Sequence, residues 1–105
     1  MIETLAALAE PNRLAIVELL RDGPRSVNEI VGELGLRQPL VSKHLKVLST
    51  AGVVDVRPQA QRRFYELDER RFKEIDSWLD SFAGLWSQRL DRLESHLHRK
   101  GVTTR

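Results

Sequence analysis

A chain of 105 residues, 41% hydrophobic and 30% charged, has material for one modest core, which excludes a catalytic domain joined to a separate regulatory one and excludes disordered and membrane-protein compositions. No apolar run nears the ~20 residues that span a bilayer, and Met1-Ile2-Glu3-Thr4 lacks the features of a signal peptide, so a cytoplasmic protein without membrane attachment is expected. The absence of cysteine removes disulfides, thiolate metal sites and thiol redox sensing, and neither metal nor cofactor is expected.

The formal charge of +2 is unevenly placed. Residues 1–36 are net acidic and residues 66–105 are balanced. Between them Arg37, Lys43, Lys46, Arg57, Arg62 and Arg63 face Asp55 alone, a net of +5. A basic middle between neutral or acidic flanks is the footprint of a phosphate-binding surface.

In chain order, Leu5, Leu8 and Ala9 predict a short opening helix. Pro11 suits the first turn of a second, whose stripe of Ile16, Leu19 and Leu20 ends at Asp22-Gly23-Pro24. Ser26 and Glu29 have the spacing of a capping box. Behind them Val27, Ile30, Val31 and Leu34 run at helical spacing to Gly35. Leu36 buries in the turn and Pro39 opens a fourth helix, in which Val41, Leu45 and Leu48 recur at i, i+4 and i+7. Two helices joined by a turn of about four residues have helix-turn-helix geometry. The fourth helix then presents Gln38, Ser42, Lys46 and Ser49 outward with Lys43 beside them, a basic face without acids. Gln pairs with adenine edges, and Lys meets guanine or phosphate.

Val53 to Arg57 and Arg62 to Leu67 read as the strands of a hairpin around Pro58-Gln59-Ala60-Gln61. Arg62 and Arg63 beside its tip make it a wing able to grip phosphates or enter a minor groove. From Arg70 onward, Phe72, Ile75, Leu79, Phe82, Trp86, Leu90, Leu93 and Leu97 form a nearly heptad seam, which Trp78 and Leu85 widen. That apolar face exceeds what one small domain covers, and the same helix of a second copy is its simplest partner.

The stretches Leu8-Ala9-Glu10-Pro11-Asn12-Arg13-Leu14-Ala15-Ile16 and Gln38-Pro39-Leu40-Val41-Ser42-Lys43-His44-Leu45-Lys46-Val47-Leu48, with Ala51-Gly52-Val53-Val54 behind, resemble the ArsR family of dimeric winged-helix repressors, in its metal-independent branch. The resemblance covers nearly the whole chain. It implies that Gln38, Pro39, Ser42, Lys43 and His44 lie in the recognition motif, that Arg62 and Arg63 lie in the wing, and that the first and last helices, with Leu5 and Leu8 on the first, form the dimer interface. The expected fold is therefore mainly α with a small β-hairpin, a winged helix-turn-helix in the order α-α-α-α-β-β-α. One domain is expected over 1–105, with the helix-turn-helix at 26–50, the wing at 53–67 and a single dimerisation helix at 70–98.

Three departures from the family pattern matter. Arg37 stands where a serine cap is frequent, which turns it toward a phosphate. The tip Gln59-Ala60-Gln61 lacks glycine, which implies a wider turn. Asn28 to Leu34 holds no cysteine, while His96 and His98, two residues apart, point about 200° apart on a helix and do not chelate one ion together from one chain, which leaves open only a site shared between subunits. An inducer, small molecule or protein, is left unidentified.

The expected function is that of a dimeric repressor placing two recognition helices in major grooves about 34 Å apart on an inverted-repeat operator. Lys43, Lys46, Arg57, Arg62 and Arg63 supply phosphate affinity, and Gln38 and Ser42 the base preference. The competing reading is a winged-helix module that binds an acidic protein. Enzymatic activity is not expected, since no nucleophile-base pair, metal-ligand spacing or phosphate loop is present.

Overall fold

The computed structural model describes residues 1–99, apart from the side chains of Trp86, His98 and Arg99. The dimerisation role expected of the Trp86 side chain and the question of a metal at His98 lie outside the described residues. The elements are α1 (Ile2–Leu8), α2 (Pro11–Leu20), β1 (Arg25–Ser26), α3 (Val27–Leu34), α4 (Gln38–Thr50), β2 (Val54–Gln59), β3 (Arg62–Leu67), α5 (Glu69–Asp80) and α6 (Ala83–Arg99). They form two compact units, one spanning Met1–Lys73 and a second starting at Glu74. The fold is a winged helix-turn-helix. Compared with the expected order it gains β1 and a sixth helix.

The first unit is built on residues that the apolar spacing selects. Ile16, Ile30, Val41, Leu45, Leu48 and Val53 are fully buried, so α2, α3 and α4 each turn one stripe into a common core. Glu10 caps α2 by accepting the Arg13 amide at 2.8 Å. Pro11 then occupies the first turn, where a missing donor costs nothing. At the start of α3 the Glu29 amide donates to Ser26 Oγ at 3.2 Å and the Ser26 amide to Glu29 Oε1 at 3.1 Å, completing the capping box.

The bonds from Ser26 hold the Glu29 carboxyl below its ordinary range. A carboxylate with a lowered folded pKa stabilises the fold above its unfolded pKa, and that contribution is lost as pH falls toward the folded value. Ser26→Ala should therefore lower the melting temperature at neutral pH. The gap to the parent should narrow below about pH 4.3, the ordinary glutamate range. Thermal melts of both proteins from pH 7 to pH 3 check this, and a gap that stays constant with pH would contradict it.

Helix α4 ends in a Schellman motif. The Gly52 amide donates to Ser49 O at 3.0 Å and the Val53 amide to Leu48 O at 2.9 Å, with Gly52 at φ 77°. A Cβ at Gly52 would stand 2.6 Å from Arg71 Nε, a flexible side chain that can move aside, so it is the positive φ that demands glycine. Gly52→Ala should cost about 1–2 kcal/mol from the left-handed conformation alone. Denaturant titration measures that loss.

Strand β3 lies between the other two, in the order β1-β3-β2, with all pairs antiparallel. The two residues of β1 pair Arg25 with Tyr65 and Ser26 with Phe64, joining the wing to the helix-turn-helix. Between β2 and β3 the register holds out to Gln59 opposite Arg62, leaving only Ala60 and Gln61 as the turn. The wider turn expected from the missing glycine is thus corrected. Ladder pairing continues to the tip, and Ala60 accepts φ 57° to close it. Positive φ at the first central position is the type II′ pattern, which suits the twist of paired strands.

The single helix expected over 70–98 is also corrected, since α5 ends at Asp80 and α6 begins at Ala83. Ser81 Oγ donates to Trp78 O at 2.5 Å, occupying the carbonyl that a continuing helix would offer to the Phe82 amide. That amide donates instead to Leu79 O at 3.0 Å, which tightens and ends the turn. Trp78 and Phe82 pack edge to face with ring centroids 5.3 Å apart. The heptad seam is consequently interrupted between Leu79 and Trp86. No described helix is long and apolar enough to cross a membrane.

Candidate nucleic-acid interface

Helix α4 divides cleanly by burial. Val41, His44, Leu45 and Leu48 are buried, while Gln38, Pro39, Ser42, Lys43, Lys46 and Ser49 are exposed. The exposed face carries no acid, and Arg37 caps the helix without a side-chain bond. Pro39 has no amide hydrogen, and the Leu40 and Val41 amides both donate to Arg37 O, at 3.1 and 3.0 Å, so the start of α4 is closed by its own backbone.

Strand alternation sorts the wing. Val56, Arg63 and Tyr65 share one face, and with Ser42, Lys46, Ser49 and Thr50 they line a cleft of about 370 Å³ between α4 and the hairpin. Two cations and a set of hydroxyls surround this space, a combination suited to phosphate oxygens. Arg57, Arg62, Phe64 and Glu66 occupy the other face. There Arg57 Nη2 pairs with Glu66 Oε1 at 2.8 Å, while Arg62 Nη2 donates to Ser26 Oγ at 3.3 Å with its guanidinium 5.3 Å from the Phe64 ring centroid. Of the three wing arginines the sequence nominates, Arg63 alone lines the cleft. Arg57 and Arg62 are engaged by protein partners.

His44 requires a correction. Its side chain is buried, with Nδ1 3.7 Å from Glu10 Oε2 and 3.5 Å from Arg13 Nη1, and it does not join the exposed face. Position 44 follows Val41 by three residues and so falls on the inward stripe. Arg13 Nε also donates to Ala7 O at 2.6 Å, so Glu10, Arg13 and His44 tie the end of α1 and the start of α2 to α4. The Arg13 amide holds the Glu10 carboxyl below its ordinary range. Sequence reasoning placed Ser49 on the outward face of α4 but omitted Thr50 and Tyr65, which line the cleft. Tyr65 was reachable, because it stands two residues from Arg63 on the same strand face.

Of the residues expected at a dimer contact, Leu8 and Phe72 pack partly against the core, and Leu5 is half-buried. In the second unit Ile75 and Leu97 are half-buried, whereas Leu79, Phe82, Leu90 and Leu93 are exposed along with Trp78 and Leu85. Among the described residues no group of three His, Asp or Glu side chains is placed to hold a metal ion.

Residues 10–56 match the profile described as "Bacterial regulatory protein, arsR family". Along nearly its whole length the chain is similar to the HTH-type transcriptional regulator Rv2034 of Mycobacterium tuberculosis, with 44% identity over 98 residues, 93% of this chain and 89% of that one. The chain belongs to the ArsR family. This ArsR-family protein is also 45% identical over 73 residues to the HTH-type transcriptional repressor SmtB of M. tuberculosis, covering 70% of this chain and 54% of that one. Among solved structures it is similar to the homodimeric winged helix-turn-helix DNA-binding domain of a possible ArsR-family regulator from Mycobacterium bovis. The TM-score is 0.66 at 26% identity, over 79% of this chain and 77% of that one. Membership makes the protein a DNA-binding transcriptional regulator and not an enzyme.

Proposed function

We propose that this ArsR-family regulator acts in the cytoplasm as a homodimeric repressor, laying α4 of each protomer in successive major grooves of an inverted repeat and blocking transcription from it. The observation that carries this reading is the acid-free exposed face of α4, continuous through Lys46 with the cleft that Arg63 closes from the wing. Gln38 and Ser42 reach base edges, whereas Arg37, Lys43, Lys46 and Arg63 meet phosphates. Residues 1–105 serve as one DNA-binding domain, with the helix-turn-helix at 26–50 and the wing at 53–67. Dimerisation is supported by the exposed Trp78, Leu79, Phe82, Leu85, Leu90 and Leu93, between 38% and 64% accessible, and by the homodimeric relative.

The test is selection of a duplex from random sequence, followed by anisotropy titration of the selected and scrambled duplexes and measurement of solution mass. Gln38→Ala should cost about 1–3 kcal/mol on the selected duplex and little on the scrambled one. Equal losses on both would remove Gln38 from base reading, and a monomeric mass would overturn the dimer.

A further inference from the structure

On the other flank of α4 an open cleft of about 570 Å³ lies between that helix and α1, wholly within the unit Met1–Lys73. Ala6, Ala7, Val47 and Ala51 give it an apolar floor. Val47 is the informative member. It is 37% exposed at mid-helix, where Val41, Leu45 and Leu48 are buried and the other exposed aliphatic, Leu40, stands in the first turn away from this cleft, and the DNA-binding face does not use it. The rim carries Arg13, Lys43 and Lys46 against one carboxylate, Glu3. Arg13 is committed to Ala7 O and the His44 ring, but Lys43 and Lys46 have no hydrogen bond or ion pair among the described residues.

An apolar floor beside two uncommitted ammonium groups selects an amphipathic anion, and the volume falls within the ~300–1,000 Å³ of small-molecule sites. We propose that this cleft binds a carboxylate carried on an apolar body, of the fatty-acid type, and that its occupancy releases DNA. The inference rests on the DNA-binding reading above. Coupling follows from Lys46, which lines both this cleft and the one between α4 and the wing. Residues 43, 46, 47 and 50 form one stripe of α4 and residues 42, 45, 46 and 49 the next, so Lys46 stands on the ridge between them. Its flexible stem delivers the ammonium to either side, but not to both at once. A carboxylate in the α1 cleft therefore competes with a DNA phosphate for the same charge. On α1, residues 3, 6 and 7 lie opposite residues 5 and 8, so dimer contacts through Leu5 and Leu8 leave the cleft open.

Octanoate is the probe and 1-octanol its neutral counterpart, with ionic strength held constant by acetate because DNA affinity is itself salt-sensitive. Amide NMR titration of the DNA-free protein should show octanoate shifting Ala6, Val47 and Ala51, with octanol at least about tenfold weaker. At octanoate ten times its own Kd, affinity for the selected duplex should fall about tenfold for each cleft that must be empty, about a hundredfold for the dimer, as mutually exclusive binding requires. Ala6→Phe fills the cleft from an exposed position, and should abolish the octanoate effect while leaving DNA affinity unchanged. Val47→Thr, isosteric with valine, makes the floor polar without adding bulk and should weaken the octanoate effect with the cleft still open. The inference is overturned by absent shifts, by shifts confined to residues after Glu74, by octanol binding equally well, or by cleft occupancy that leaves DNA affinity untouched. A chain that binds no DNA at all sinks the regulator reading and this coupling together. The NMR titration distinguishes that result from an empty cleft.

Discussion

Exchanging Lys46 and Arg63 together for glutamate should weaken binding of the selected duplex by about a thousandfold or more, taking each broken phosphate interaction as about 1 kcal/mol, with both residues present in each protomer of a dimer. The scrambled duplex should lose a comparable factor, because phosphate contacts carry no sequence information. Lys46 and Arg63 face each other across the cleft between α4 and the wing, and neither has a protein partner among the described residues. Replacing them leaves no buried charge behind, so circular dichroism and melting temperature should match the parent. Neutral replacement by alanine should reduce the slope of log affinity against log salt by about one for each phosphate no longer neutralised. The contrast is Arg62→Ala. Its guanidinium is held by Ser26 and Phe64, so that variant should alter stability more than salt slope. A larger loss of DNA affinity from Arg62→Ala than from Arg63→Ala would show that the wing turns its other face to the duplex.

The second large effect is on the fold. Leu45→Ala should cost about 2–5 kcal/mol, since Leu45 is fully buried at the centre of α4 and its removal leaves a cavity among closely packed neighbours. In a domain of this size that corresponds to a fall of roughly 10–30 °C in melting temperature. Marginal stability makes this comparable to the whole folding free energy. Calorimetry checks it, and a fall of only a few degrees would mean that the core around α4 collapses to fill the space. DNA affinity should fall at least in parallel with the folded fraction, and a larger fall would report a change in the cleft between α4 and the wing, whose floor Leu45 also lines.

Much of this protein was legible in its residues without coordinates. Period and capping rules located α2, α3 and α4, because an amphipathic stripe such as Val41, Leu45 and Leu48 needs no knowledge of what covers it. The capping box at Ser26 was legible for the same reason, being local bonds among residues close in sequence. Net charge by segment likewise marked 37–65 as the basic part of the chain, the part that folds into α4 and the wing. The resemblance carried by residues 8–16 and 38–48 pointed to the family that comparison with relatives established.

Tertiary structure decided what depends on partners distant in the chain. Strand β1 exists only because Arg25 and Ser26 find Tyr65 and Phe64 some forty positions later, and no local propensity in two residues announces that pairing. Arg57, Arg62 and Arg63 are chemically alike in sequence, yet alternation along paired strands and the positions of Glu66, Ser26 and Phe64 leave only the last lining the cleft. His44 reads as one of several polar residues on a recognition helix until Glu10 and Arg13 are seen to enclose it. The interruption at Ser81 turns on a side-chain bond to Trp78 O that apolar periodicity does not encode. Local hydrogen bonding and hydrophobic period are properties of neighbouring residues and survive in sequence; which face of an element is answered by which distant partner is settled only when the chain is folded.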